Sequence, residues 1–152
     1  MSSTSNGKNL GILVLDMSPD GPAVCRIIQK IGPEPTWVRQ VEEFDAEGFT
    51  GKTADFRSDK PCLRLITGQW RNYALLLING KVGFKIHGFN VVRRIVKSEH
   101  PPVIGIDNTD QKNGFMTASR AFGSTTSKRD LRAFELYMRQ RLHELRELGL
   151  IK

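Results

Sequence analysis

The run Leu10-Gly11-Ile12-Leu13-Val14-Leu15 contains no polar residue and stops at Asp16. A strand of that composition has no face suited to water, so it must be covered on both sides, as in parallel sheets clothed by other elements. Val103-Ile104-Gly105-Ile106, ending at Asp107, is a second run of this kind. Tyr73-Ala74-Leu75-Leu76-Leu77-Ile78, the most apolar segment of the chain, reads as a central strand. After the first run, Pro19, Asp20, Gly21 and Pro22 break the chain, and Val24, Ile27, Ile28 and Ile31 then recur at helical spacing. Pro22 suits a first helical turn, Gly32 the left-handed residue after the last, and Pro33 prevents continuation. Cys25 and Arg26 fall off the apolar stripe of this helix. Thr36-Trp37-Val38-Arg39-Gln40-Val41 is β-branched and aromatic, so the opening forty residues spell a βαβ unit.

The remaining segments are read in the same way. Residues 42–59 are acidic, glycine-bearing and aperiodic, with Phe44, Phe49 and Phe56 too irregularly spaced for a helix or a strand, and are expected to be mostly loop. Cys62-Leu63-Arg64-Leu65-Ile66 is a candidate short strand. Asn79-Gly80 leaves two continuations open: a two-residue hairpin turn into residues 81–86, or a loop leading to a helix over residues 88–97. For the helix, Phe89, Val91, Val92, Ile95 and Val96 form the stripe, and Pro101-Pro102 stops it. Residues 107–114 read as a polar loop and residues 115–122 as a short helix closed by Gly123. Ser127 and Asp130 resemble a capping box. Leu131, Phe134, Met138, Leu142, Leu145 and Leu148 then repeat every three or four residues up to Gly149. The expected architecture is a doubly wound, mostly parallel five-stranded α/β sheet with a long C-terminal helix. It spans residues 10–152, after a disordered tail at 1–9 and with an irregular insertion around 42–72.

A chain of 152 residues buries about two thirds of its unfolded surface, enough for one core without metals or disulfides. Cys25 and Cys62 lack any metal or disulfide spacing, and His87, His100 and His143 have no ligand partners nearby in sequence, so no metal and no cofactor are expected. No apolar stretch approaches membrane-spanning length, and the first residues lack a secretory pattern, so a cytoplasmic protein with no membrane partner is expected. The formal charge of +7 lies entirely in the second half. Arg132, Arg139 and Arg146 recur every seven residues along the last helix and, with Arg129, form a candidate basic stripe for a phosphate backbone or an acidic partner; a merely solvated helix face is the competing reading.

With these elements placed, the chain from Ile12 onwards resembles the receiver domain of bacterial response regulators. Ile12-Leu13-Val14-Leu15-Asp16 resembles the first receiver strand and its acidic pair. Tyr73 to Ile78, then Gly88-Phe89-Asn90-Val91-Val92-Arg93-Arg94-Ile95, resembles the third strand and its helix, and Pro101 to Ile106 the fourth strand. Ala118-Ser119-Arg120-Ala121-Phe122-Gly123, with Lys128 and Leu131 beyond, resembles the fourth helix and the entry to the last. The resemblance implies a receiver (flavodoxin-like) topology. It also implies a pocket at Asp16, Met17, Asn79, Asp107, Thr109 and Lys128, and there the chain departs from the family. Met17 replaces the second acid with a thioether, a poor Mg²⁺ ligand, and the place of the phosphorylated aspartate offers Ile78 and Asn79.

Three function classes follow. The first is a degenerate, non-enzymatic signalling or adaptor protein acting through protein contacts, including a second copy docked on the C-terminal helix. The second is a nucleic-acid-binding regulator using the basic half. The third is a carboxylate hydrolase built on Asp16, Asp107 and Asp110. A fainter similarity to class I glutamine amidotransferases fails at its nucleophile, since Asp107 stands where a cysteine is required.

Overall fold

The computed structural model describes residues 11–58, 62–106, 124–126 and 130–152. The expected tail at residues 1–9, the loop at 107–114, the helix at 115–122, and Asp107, Thr109, Asp110, Lys128 and Arg129 lie outside the described residues.

The first apolar run forms β1 (Gly11–Leu15), followed by α1 (Gly21–Ile31) and β2 (Glu34–Val38). Pro22 opens α1, and Gly32, at φ 128°, closes it in a conformation that only glycine adopts without strain. The next three strands, β3 (Gln40–Phe44), β4 (Phe49–Thr53) and β5 (Arg64–Gly68), pair antiparallel in the order β3-β4-β5. A single 3₁₀ turn, Trp70–Asn72, leads to β6 (Leu75–Ile78). Then follow α2 (Gly88–Ile95), β7 (Val103–Ile106), β8 (Ser124–Thr126) and α3 (Leu131–Glu147). The main sheet has the order β2-β1-β6-β7-β8, with every neighbouring pair parallel.

Both faces of this sheet are covered. Ile12, Val14, Leu75 and Leu77 pack with Val24 and Ile28 of α1 and with Phe134, Met138, Leu142 and Leu145 of α3. Leu13, Leu15, Leu76 and Ile78 pack with Val91, Val92 and Ile95 of α2, and with Val41, Phe44, Phe49 and Trp70 from the small sheet and its exit turn. The small antiparallel sheet therefore shares with α2 the covering of one face. Pro35 is tolerated in β2 because that strand is the sheet edge, paired only with β1, where Pro35 stands opposite Ile12.

Several expectations are corrected. Residues 42–59 hold more order than a loop, since they contain the end of β3 and all of β4, although just over half of their described positions lie outside strands. Their pattern is hidden by a register irregularity between Val41 and Glu43 and by Gly51 at an inward position of β4. A Cβ on Gly51 would meet the Gln40 carbonyl oxygen and lie 2.8 Å from Val38 Cγ1, so no apolar side chain fits there to signal a strand. The strand expected over residues 36–41 is divided: β2 ends at Val38 and the chain enters the second sheet at Gln40. The candidate strand at 62–66 begins two residues later, at Arg64. Asn79-Gly80 is not a two-residue hairpin, because β6 pairs in parallel with β1 and β7; only an isolated bridge joins Lys81 to His87. Cys25 is fully buried in the core, not off the stripe. On α3 the cap is Asp130, whose carboxylate accepts the N–H groups of Arg132 and Ala133, while Ser127, the other member of the expected capping box, lies outside the described residues. Leu131 and Leu148 are exposed, and Ile151 is buried instead.

Gly51→Ala is expected to destabilise the protein by ~1–3 kcal/mol through overpacking against β3 and Val38, read from the shift of a urea unfolding curve. Thr50→Ala, on the half-exposed neighbouring position, should change stability by no more than about 0.5 kcal/mol.

Candidate functional site

The carboxyl ends of parallel strands are the usual functional edge of an open α/β sheet. Here that edge holds Asp16 and Met17 after β1, and Ile78 at the end of β6 with Asn79 after it. Asp16 and Asn79 are the two buried polar residues among those described, and all of Ile78 is buried. A carboxylate without solvent needs hydrogen bonds or counter-charge. Asp16 Oδ1 accepts the Ser18 N–H at 2.8 Å, while its backbone carbonyl accepts Trp37 Nε1 at 2.9 Å. The Asp16 N–H in turn donates to the Val38 carbonyl at 3.2 Å, tying the end of β1 to the end of β2.

Asn79 works in the same manner on the other side of β1. Its N–H donates to the Leu15 carbonyl at 2.8 Å, and its side-chain Nδ2 donates to the Lys81 carbonyl at 2.9 Å. The same Lys81 carbonyl accepts the Met17 N–H at 3.0 Å. One backbone oxygen thus joins the loop after β1 to the loop after β6, using both of its lone pairs. Val82 and Gly83, next along, lie against β3: the Val41 N–H donates to the Val82 carbonyl at 2.6 Å, and Gly83 is pressed on the Val41 backbone. Gly88 N–H closes the loop on the Gly80 carbonyl at 2.9 Å.

Of the six residues implied by the receiver resemblance, Asp16, Met17 and Asn79 meet at this edge. The described residues do not fit a Mg²⁺ centre. They contain no group of three His, Cys, Asp or Glu side chains able to hold a metal ion; Met17 supplies sulfur, and the Asn79 amide is turned to the Lys81 carbonyl.

Beneath the edge lies Cys25, whose thiol is pushed far above its ordinary value, first by burial and then by the negative charge of Asp16. A thiol so held stays neutral and is a poor nucleophile. A cleft of about 230 Å³ opens beside the edge, lined by Met17, Ser18, Pro19, Pro22, Trp37, Arg39, Asp55 and Ser58. Asp55 is committed within it: its carboxylate accepts the Arg57 N–H at 2.9 Å and Arg57 Nε at 3.2 Å, and these bonds hold its pKa below the usual value.

The basic stripe is partly neutralised. Arg139 pairs with Glu135 at 3.0 Å, in a cluster that includes Lys30, and Arg146 Nε donates to the Lys152 carbonyl at 3.3 Å; Arg132 is exposed. Sequence reasoning missed the part played by Val82 and Gly83, which brace the loop after β6 against β3. The apolar and small pair following Lys81 was a signal that this loop is partly buried.

No family model and no curated protein matches the chain. Solved structures do. NtrX from Brucella abortus, crystallised with ADP, matches at a TM-score of 0.56 and 20% identity, covering 93% of this chain and 28% of NtrX. The phosphorylated cyanobacterial phytochrome response regulator RcpA matches at a TM-score of 0.51 and 13% identity, covering 90% of this chain and 93% of RcpA. The chain spans under a third of NtrX and nearly all of RcpA. Together with the strand order, these likenesses define the fold as receiver-like α/β.

Native protein treated with iodoacetamide at mildly alkaline pH should be alkylated at the exposed Cys62 and spared at Cys25, with both modified after unfolding; peptide mass mapping reads the result. The same raised value implies a pH dependence. Cys25 ionises above about pH 8.5 in the unfolded chain but not in the fold, so its contribution to stability declines as pH climbs past that point. The urea midpoint of the wild type should accordingly fall more steeply between neutral and alkaline pH than that of Cys25→Ala.

Proposed function

We propose that this protein is a degenerate receiver-like signalling or adaptor protein that works through protein contacts, without Mg²⁺-dependent phosphorylation of an aspartate. One observation carries the reading: at the end of central strand β6, where a receiver bears its phospho-accepting carboxylate, Ile78 is sealed in the core and Asn79 is spent on the Lys81 carbonyl. An amide is a poor acceptor for acyl phosphate chemistry, and this one is 5% exposed. Asp16 adds support, since its carboxylate is buried and accepts the Ser18 N–H. Among the described residues no cluster of hard oxygen ligands is present to offset phosphoryl charge at this edge.

The cellular setting in this proposal is the cytoplasm. Both cysteines are free thiols, in keeping with a reducing compartment, and no helix among the described residues is long and apolar enough to cross a membrane. Nucleic acid is the less favoured partner, because the ion pair of Arg139 with Glu135 weakens the stripe that was to follow a phosphate backbone.

Incubation with acetyl phosphate and Mg²⁺, followed by intact mass measurement, is expected to leave the mass unchanged. A stable gain of one phosphoryl group at Asp16 or Asp107 would refute the proposal.

A further inference from the structure

The loop between β6 and α2 combines two properties that rarely coincide. Its backbone is anchored on both sides of the tip: Lys81 accepts from Met17 and Asn79, Val82 from Val41, and Gly80 from Gly88, while an isolated bridge joins Lys81 to His87. Val82 is fully buried and Gly83 is wedged on β3. Yet Phe84, next in sequence, is 72% exposed, the most exposed large apolar side chain among the described residues. Covering such a ring would withdraw from water an apolar surface that the isolated chain leaves exposed. A phenylalanine held out by a braced backbone loses little conformational freedom when a partner covers it, which is the arrangement of an interface anchor.

The charges around it indicate what covers it. Lys81 and Lys85 flank Phe84, both are exposed, and neither has an ion-pair partner among the described residues. A cleft of about 220 Å³ adjoins the ring, lined by Gln40, Val41, Glu42, Phe84 and Lys85. That is below the roughly 300–1,000 Å³ of small-molecule sites and suits one inserted side chain. Glu42 on its wall lies 3.8 Å from Lys52, leaving the two lysines of the loop as the uncompensated charges. Glu42 on the cleft wall disfavours a continuous phosphate backbone across this surface, whereas discrete carboxylates can reach the lysines individually.

We propose that residues 81–87 form a fixed docking loop for an acidic polypeptide segment of a protein partner, with Phe84 as the apolar anchor and Lys81 and Lys85 as the flanking cations. The inference rests on the adaptor reading and gives it a surface. Asn79 then has a positive role: where a receiver carries its switch, this residue holds the presenting loop in place.

A random-peptide display library selected on the full chain tests the surface. Selected peptides should be acidic, carry an apolar side chain and bind more weakly as salt rises. Phe84→Ala should weaken the best synthetic peptide by about thirty-fold, the loss typical of an anchor residue. Lys81→Glu with Lys85→Glu should abolish binding, and Lys81→Arg with Lys85→Arg should retain it. All three variants alter exposed side chains, and unchanged thermal melting excludes misfolding as the cause. Selection of peptides with no acidic bias, or binding indifferent to Phe84→Ala, would overturn the docking loop. So would single-stranded oligothymidine binding that is lost in Phe84→Ala, which would make this a nucleic-acid surface. The phosphodonor result stands apart from all of these, so the docking loop and the loss of phosphorylation can fail separately.

Discussion

Every residue of Ile12–Leu15 and Leu75–Ile78 is withdrawn from solvent, and this two-sided burial is the constraint from which the rest of the molecule follows. Neighbouring side chains in a strand point to opposite faces, so two separate coverings are required. One is mainly helical, with α1 and α3 packed on Ile12, Val14, Leu75 and Leu77 and joined by Ala54 and Phe56 from the segment after β4. The other is composite, with α2 over one part and the antiparallel sheet over another, and Trp70, Phe44 and Phe49 between them. The Phe44 and Trp70 rings stack with centroids 6.0 Å apart, and Trp70 Nε1 donates to the Asp45 carbonyl at 2.9 Å, so the turn that returns the chain to β6 is tied to the β3–β4 hairpin.

The same constraint shapes the carboxyl edge. With β1 and β6 buried in the core, the loops leaving them are positioned by hydrogen bonds to backbone carbonyls: Asp16 to Val38, Asn79 to Leu15, and Met17 and the Asn79 side chain together on Lys81. This geometry suits a surface presented in one conformation.

Much of the fold was legible because the parallel strands and α1 carry undiluted signals: unbroken apolar runs, a 3.6-residue period, and proline and glycine at the helix ends. The small sheet was illegible for a local reason. Its inward positions include Gly51 and Gly68, where backbone and the Phe49 ring occupy the space a side chain would need, and its register shifts near Val41. Alternation cannot be read where alternate residues have no side chain. At the site, the chemical departures at Met17 and Asn79 were visible in the sequence. The convergence of two donors on the Lys81 carbonyl was not, because a backbone acceptor leaves no trace in residue type. Cys25 was misjudged since α1 buries a wider arc than its aliphatic residues mark, and a thiol fits that arc as a small apolar group.

Pro35 in the outermost strand has an effect beyond its own position. A sheet rim normally offers a ladder of amides and carbonyls onto which foreign strands can add, the route to fibrillar association. At this rim one amide is missing and the adjoining Glu34 brings a charge, so the ladder is interrupted close to where it starts. Polymerisation by extending the main sheet is therefore discouraged on the β2 side, and the chain tolerates crowding there without a covering helix.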